Sequence, residues 1–313
     1  MQFHMVSGLG RMALLGALVS VVHLSPTPAR GDDPKFAYGK AGDAAKLPPW
    51  AASVTAGFGM TTGNAQSVNF TGAGMVSHRF GDSDLLAFDA TVAFQRSTVQ
   101  TAIDNNPADG VITPNEVLDI TQSVSEAWGT RLRYDHFFDP ANGVYGLVLA
   151  GGDIPAGKQF VGSAQVGYSR ALFRTATSEL IGEVGLDYSY QRYVVGDPNS
   201  INFAAIRAFL GYVGNPTADL SYNASIEYLG NLSEQNTPTG RVGAFGDNRA
   251  IGKVGVTWKI FGDGSMGFRF RALYDSAPAP KPPPAGFSWA PGYQPLANPW
   301  DTFTELVVVY KLM

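Results

Sequence analysis

Residues 220–228 read LSYNASIEY, and this stretch decides the fold class. Every second residue, from Leu220 to Tyr228, is apolar or aromatic, and the residues between them are Ser, Asn and Glu. A strict period of two is typical of a β-strand whose two faces meet different surroundings. One face of this segment must therefore meet an apolar medium and the other a polar one.

The same alternation recurs in blocks of about ten residues, the length of a tilted membrane-spanning strand, from Trp50 to the end of the chain. In residues 86–94, for example, Leu, Phe, Ala, Val and Phe share one face. Turn-forming Gly, Asn, Asp and Pro residues separate the blocks. The pattern predicts twelve strands, near residues 51–60, 66–80, 85–97, 122–136, 144–151, 160–171, 180–192, 203–213, 220–230, 249–260, 266–275 and 302–312.

The connections between these strands predict a membrane topology. The even-numbered connections are short, such as GDSD and NPTAD, and the third, fifth, seventh, ninth and eleventh are longer, whereas the first, TTGNA, is short. Outer-membrane barrels have short periplasmic turns and longer external loops. We therefore predict an all-β chain that forms a single closed antiparallel transmembrane β-barrel of about 12 strands. A soluble periplasmic β protein is the alternative that the strand pattern leaves open.

Composition narrows the function classes. Charged residues make up 15% of the 313 residues, against roughly 25% in soluble domains. The chain has no cysteine, which excludes disulfides, thiol catalysis and thiolate metal sites. Its 22 Lys and Arg against 26 Asp and Glu leave no basic excess, so a nucleic-acid partner is not expected.

The first residues have the pattern of an export signal. An apolar segment, residues 12–24, is too short to span a bilayer and is followed by Ala29-Arg30-Gly31, a small-residue cleavage pattern. We predict a signal peptide over 1–31, a periplasmic segment over 32–49 and the barrel over 50–313. The expected location is the outer membrane of a Gram-negative bacterium, with membrane lipid and the barrel-assembly machinery as partners.

Three segments of the chain carry a family resemblance: the opening hairpin AASVTAGFGMTTGNAQSVNF, and the middle-strand segments GVYGLVLAGGD and VGYSRALFRTATSELIGEVGLDYSY. They resemble the salt-induced outer membrane protein family of Gram-negative bacteria. The matching residues are Trp50, Gly57, Gly59, Thr62, Gly63 and Asn64. The resemblance implies one outer-membrane barrel of undefined biochemical function, with a tie to salt or osmotic response.

The polar face of the strands defines the predicted barrel lumen. Its cationic members are Arg131, Arg133, Arg207, Lys253, Lys259, Arg269, Arg271 and Lys311, and its carboxylates are Asp89, Asp135, Glu183, Asp187, Glu227 and Glu305. Two readings stay open: a salt-bridged interior that stabilises a narrow barrel, or a channel that selects small anionic solutes. Because Glu183 is expected on the lumen side of its strand and not in lipid, we expect Glu183→Gln to be tolerated by folding.

We predict no catalytic residue and no cofactor. His78 and His136 fall at the predicted periplasmic ends of strands, whereas an outer-membrane hydrolase needs a Ser–His pair near the external rim. The sequence therefore favours a non-enzymatic envelope protein, with a hydrolase as a remaining alternative.

Two external loops have distinctive compositions. Residues 104–116, DNNPADGVITPNE, partly match a calcium loop with Asp104, Asn106, Asp109 and Glu116 as oxygen ligands. A solvated, turn-rich loop is the alternative, because Pro107 occupies one ligand position. Residues 277–286, APAPKPPPAG, are expected to be a stiff external spacer.

Overall fold

A computed structural model describes residues 49–61, 65–102, 117–261, 264–283, 293, 295–297 and 299–311. The predicted signal peptide and the lead-in up to residue 48 lie outside the described residues. Within the described ranges, no helix is long and apolar enough to cross a membrane.

The alternating segments form β-strands because side chains on successive residues point to opposite faces. In chain order the strands are β1 (Trp50–Thr61), β2 (Ala65–Phe80), β3 (Asp84–Ala102), β4 (Val117–Phe137), β5 (Asn142–Asp153), β6 (Lys158–Arg174), β7 (Ser178–Tyr193), β8 (Ser200–Gly214), β9 (Leu220–Asn231), β10 (Gln235–Thr237), β11 (Gly240–Val242), β12 (Asn248–Phe261), β13 (Gly264–Asp275) and β14 (Trp300–Lys311).

Twelve of these strands close into one antiparallel barrel. Each pairs with its neighbour in sequence, and β9 pairs with β12, so the short β10–β11 hairpin stands apart from the wall. The first and last strands complete the ring, with Ser53 opposite Lys311 and Gly57 opposite Val307. The predicted all-β, twelve-stranded closed barrel is confirmed.

The two ends of the barrel differ in their connections. The turn end, where both β1 begins and β14 ends, carries the short connections at 81–83, 138–141, 175–177, 215–219 and 262–263. The loop end carries the connections at 62–64, 103–116, 154–157, 194–199, 232–247 and 276–299. The fifth connection was expected to be long. It spans only 154–157, because β5 ends two residues later and β6 begins two residues earlier than predicted. The β10–β11 hairpin within the ninth connection was not predicted.

The barrel exposes apolar side chains on its outer face and buries polar ones inside, the reverse of a soluble protein. On β7, Leu186 is 56% exposed on the outer face, while the adjacent Asp187 is 2% exposed on the inner face. The same relation holds along the other long strands, where outward Val, Leu, Ile and Phe residues are exposed. Soluble monomers rarely expose continuous apolar surface beyond a few hundred Å². A lipid-facing wall accounts for this arrangement.

The loop end is partly filled by a strap, residues 276–283, which follows β13. Ala279 and Pro280 in this strap are buried, and Ala279 packs in a cluster with Tyr193 and Phe203. A Cβ atom on Gly157 would overlap the carbonyl oxygen of Pro280. The described start of the predicted proline-rich spacer is therefore packed into the barrel mouth, because its apolar residues find an apolar cluster there.

Candidate functional site: the polar barrel interior

The polar strand faces meet inside the barrel and bury their charges. Arg133, Asp135, Glu183, Asp187 and Arg207 are each no more than 6% exposed. Buried charges are stable only when they are paired and hydrogen-bonded. The partners of these side chains therefore determine what the interior can do.

A central cluster of side chains joins five strands, β4, β5, β7, β8 and β9. It consists of Arg133, Asp135, Tyr145, Glu183, Arg207 and Glu227. Arg133 donates to Asp135 (Nη2 to Oδ1, 2.7 Å) and to Glu183 (Nη2 to Oε1, 2.6 Å). Arg207 donates to the other oxygen of Glu183 (2.7 Å) and to Glu227 (2.8 Å). Glu183 thus holds two guanidinium groups at once.

Tyr145 lies between the two arginines of the central cluster. The guanidinium carbon of Arg133 is 4.3 Å from the ring centre, and that of Arg207 is 5.5 Å away. Arg207 also donates a hydrogen bond to the Tyr145 hydroxyl oxygen at 2.9 Å. The ring needs two facing glycines, because a Cβ on Gly167 would lie 2.5 Å from that oxygen and one on Gly185 2.7 Å from it.

A second group of charges, the mouth cluster, lies towards the loop end and consists of Lys158, Asp247, Arg249 and Asp275. Lys158 Nζ lies 2.9 Å from Asp275 Oδ2, although β6 and β13 are five strands apart around the wall. Arg249 pairs with Asp247 at 2.8 Å, and its Nε lies 3.8 Å from Asp275. This cluster therefore crosses the lumen from one side to the other.

The mouth cluster was missed by the sequence analysis. Lys158 begins its strand, Asp275 ends its strand and Asp247 directly precedes β12. Alternation carries no information at strand ends, where a side chain's direction depends on the adjoining loop. The sequence does place a lysine, Lys158, and an aspartate, Asp275, at the loop-side ends of two strands. Their pairing, however, can be recognised only once the barrel is closed.

A cavity with an empty volume of about 920 Å³, part of it open to solvent, lies between the two clusters. Arg207 and Glu227 of the central cluster line it, as do Lys158, Arg249 and Asp275 of the mouth cluster. The remaining wall includes apolar side chains of β5, β6, β12 and β13, namely Leu147, Leu149, Ala150, Val161, Ile251 and Leu273.

The other predicted lumen residues lie around these clusters. Arg131 pairs with Asp89 at 2.8 Å, and Asp187 accepts hydrogen bonds from Gln165 (2.7 Å), Ser163 and Ser189. Lys253, Arg269 and Arg271 are half-buried, with Lys253 opposite Arg271 in the β12–β13 register. The β4 arginines are bonded to carboxylates on β3, β4 and β7.

Some predicted residues are placed differently or are not described. Lys259, expected in the lumen, is exposed at the turn end, because β12 ends two residues later at a register shift. The side chains of Glu305 and Lys311 are outside the description. The hairpin residues Thr62, Gly63 and Asn64 and the calcium-loop candidates Asp104, Asn106, Asp109 and Glu116 lie outside the described residues.

The turn end carries both histidines of the barrel. His78 stacks against Trp50 with ring centres 4.1 Å apart, and His136 Nδ1 lies 2.9 Å from Asp84 Oδ1. In the β4–β5 turn, hydrogen bonds from the Asn142 side chain and the Ala141 amide hold the pKa of Asp139 below its usual value. Within the described ranges, no group of three or more His, Asp or Glu side chains is arranged to hold a metal ion.

Comparisons with known proteins complete the description. A family model described as "Protein of unknown function, DUF481" matches residues 54–284. No curated protein matches the sequence.

Solved structures are similar at low sequence identity. The NanC porin aligns with a TM-score of 0.45 at 8% identity, covering 83% of this chain and 100% of that one. The translocator domain of the autotransporter NalP from Neisseria meningitidis has a TM-score of 0.39 at 12% identity, covering 83% and 86%. A Pseudomonas aeruginosa FadL homologue has a TM-score of 0.39 at 9% identity, covering 91% and 95%. None of these likenesses bears on the chemistry of the interior.

Proposed function

The chain belongs to the DUF481 family, and we propose that it is a non-enzymatic barrel of the Gram-negative outer membrane whose interior is closed by paired charges. The exposed apolar wall supports the membrane location, because only lipid makes such a surface favourable. Outer-membrane lipid and the barrel-assembly machinery are its partners in this proposal, and nucleic acid is not.

The central cluster is the main observation that supports a closed interior. Its six side chains join five strands and satisfy one another, so a permeating ion would have to displace existing ion pairs. The mouth cluster adds a second crossing at Lys158 and Asp275. A structural role in the envelope fits a barrel whose interior charges are used for its own stability.

Planar-bilayer recording tests this proposal. The purified wild-type barrel is expected to give no resolved conductance steps, whereas Tyr145→Ala, which removes the ring between the two arginines, should give small steps. Phe88→Ala on the lipid face is the control for loss of an aromatic ring. Regular steps from the wild-type protein would refute a closed interior.

A narrow channel for small anionic solutes is the second candidate. The cavity favours it, because five cationic side chains and two carboxylates line its wall. If the wild-type barrel conducts, the reversal potential in a salt gradient distinguishes this candidate: anion selectivity supports it and cation selectivity removes it.

A role under salt or osmotic stress is a further part of the proposal. It is supported by the resemblance of the opening hairpin, Thr62 to Asn64, to the salt-induced outer membrane proteins. Protein abundance in the outer-membrane fraction should rise when the medium is shifted to high salt. Unchanged abundance would remove this part and leave the closed barrel unaffected.

A further inference from the structure

The cavity between the two clusters has an asymmetric wall. Arg131, Arg207 and Arg249 line it directly. Asp89, Glu183 and Asp247, which pair with these arginines, are not part of the lining, whereas the paired carboxylates Glu227 and Asp275 are. The lining thus holds five cationic side chains and two carboxylates, an excess of positive charge.

The same wall offers apolar contact on two opposite sides. Leu147, Leu149 and Val161 come from β5 and β6, and Ile251 and Leu273 come from β12 and β13. Within the barrel order, β6 and β13 are five strands apart. A compact apolar group between these sides would contact both.

We propose that this cavity binds a small organic anion, in which a carboxylate is attached to a compact apolar body. The apolar body lies between the leucine and isoleucine side chains, and the carboxylate accepts hydrogen bonds from the cationic groups of the wall. Because carboxylates already hold the arginines in place, these side chains need little reorganisation to receive the anion. The Lys158–Asp275 pair lies at the loop-end side of the cavity, from which the ligand enters.

This site goes beyond the proposed function and stands whether or not the barrel conducts ions. A neutral molecule of the same shape gains the apolar contacts without the charge-assisted hydrogen bonds. A cation of the same shape meets five cationic side chains against two carboxylates on the wall. The wall therefore predicts the order anion, neutral molecule, cation for ligands with one common body.

Isothermal titration calorimetry tests this order on the full barrel in lipid nanodiscs, with empty nanodiscs subtracted. The probes are benzoate, benzyl alcohol and benzylamine, which share one ring and differ in charge. Benzoate should bind at one site per barrel, with the other two at least roughly tenfold weaker. No benzoate heat at about 10 mM, a concentration that detects even very weak sites, or equal affinity for benzyl alcohol, would overturn the proposal.

A matched pair of variants separates charge from shape. Leu149→Asp and Leu149→Asn introduce side chains of equal size into the wall, and only the first adds a negative charge. Benzoate affinity should fall more than roughly tenfold in Leu149→Asp and less than roughly threefold in Leu149→Asn. Equal effects of the two changes would remove the anion site.

A second pair covers the case in which Leu149→Asp fails to fold, as judged by heat-modifiable electrophoretic mobility. Lys158→Gln removes a cation from the wall, and Lys281→Gln removes an exposed cation of the strap that does not line the cavity. Benzoate binding should weaken in Lys158→Gln alone. Unchanged binding in a folded Lys158→Gln barrel would contradict the proposal.

Discussion

At the residue scale, Glu183 is the side chain on which most of the interior charge balance depends. It is 6% exposed and pairs with Arg133 at 2.6 Å and Arg207 at 2.7 Å. Both arginines have a second carboxylate, Asp135 and Glu227 respectively. Without the Glu183 charge each arginine would keep one carboxylate, but both would lose the buried carboxylate that they share. Its loss is therefore expected to cost more than the sequence alone indicates.

Glu183→Gln is predicted to lower the free energy of unfolding by about 3–5 kcal/mol, the cost of breaking a buried ion pair. This replaces the expectation from sequence that the change is tolerated, which rested only on the lumen-facing parity of the residue. Urea unfolding of the barrel in lipid vesicles measures it. Glu227→Gln is the matched control, because Glu227 is more exposed than Glu183 and pairs with Arg207, so the loss should be smaller. Equal losses would contradict the special position of Glu183.

At the element scale, the outer face of each strand is set by lipid. Leu186 on β7 is 56% exposed on the outer face of the barrel, and Leu186→Arg places a charge there. The change should cost roughly 2–4 kcal/mol near the membrane midplane. Leu186→Ala is the control for loss of apolar area without a charge. Urea unfolding in vesicles measures both, and an arginine cost no larger than that of alanine would mean that this face does not meet lipid.

The strap is the second element with a testable contact. Gly157→Ala should release it, because the added Cβ overlaps the Pro280 carbonyl oxygen and because Gly157 has a φ of 78°. The chain has no cysteine, so a single Ala279→Cys, buried in the strap, reports its release by maleimide labelling. Gly240→Ala, at a φ of 121° but with nothing within 4 Å, is the matched control. Equal labelling rates in the two backgrounds would show that this contact does not hold the strap.

These elements also show what sequence patterns can predict. The twelve barrel strands follow from alternation alone, because lipid and a polar lumen impose opposite preferences on adjacent residues. The inward direction of Arg133 and Glu183 follows from the same parity. The identity of their partners does not, because Arg133 and Glu183 lie three strands apart and meet only after the sheet curves. Lys158 and Asp275 were missed for the same reason, since closure across the lumen has no local sequence signal.

At the scale of the whole molecule, the barrel has a charged interior, an apolar outer wall and two ends that differ in their connections. The turn end has connections of two to five residues, and the loop end has the β10–β11 hairpin and the strap. In outer-membrane barrels, short turns face the periplasm and longer loops face the outside. The cavity lies between the central cluster and the mouth cluster, so this orientation would place its entrance on the cell surface.

Two exposed threonines test this orientation directly. Thr239 lies between β10 and β11 at the loop end, and Thr217 lies between β8 and β9 at the turn end. Because the chain has no cysteine, Thr239→Cys and Thr217→Cys each introduce a single thiol. A membrane-impermeant polyethylene-glycol maleimide added to intact cells should label Thr239→Cys alone, and both variants should react after the cells are lysed. Labelling of Thr217→Cys on intact cells, with Thr239→Cys protected, would reverse the orientation and put the cavity entrance in the periplasm.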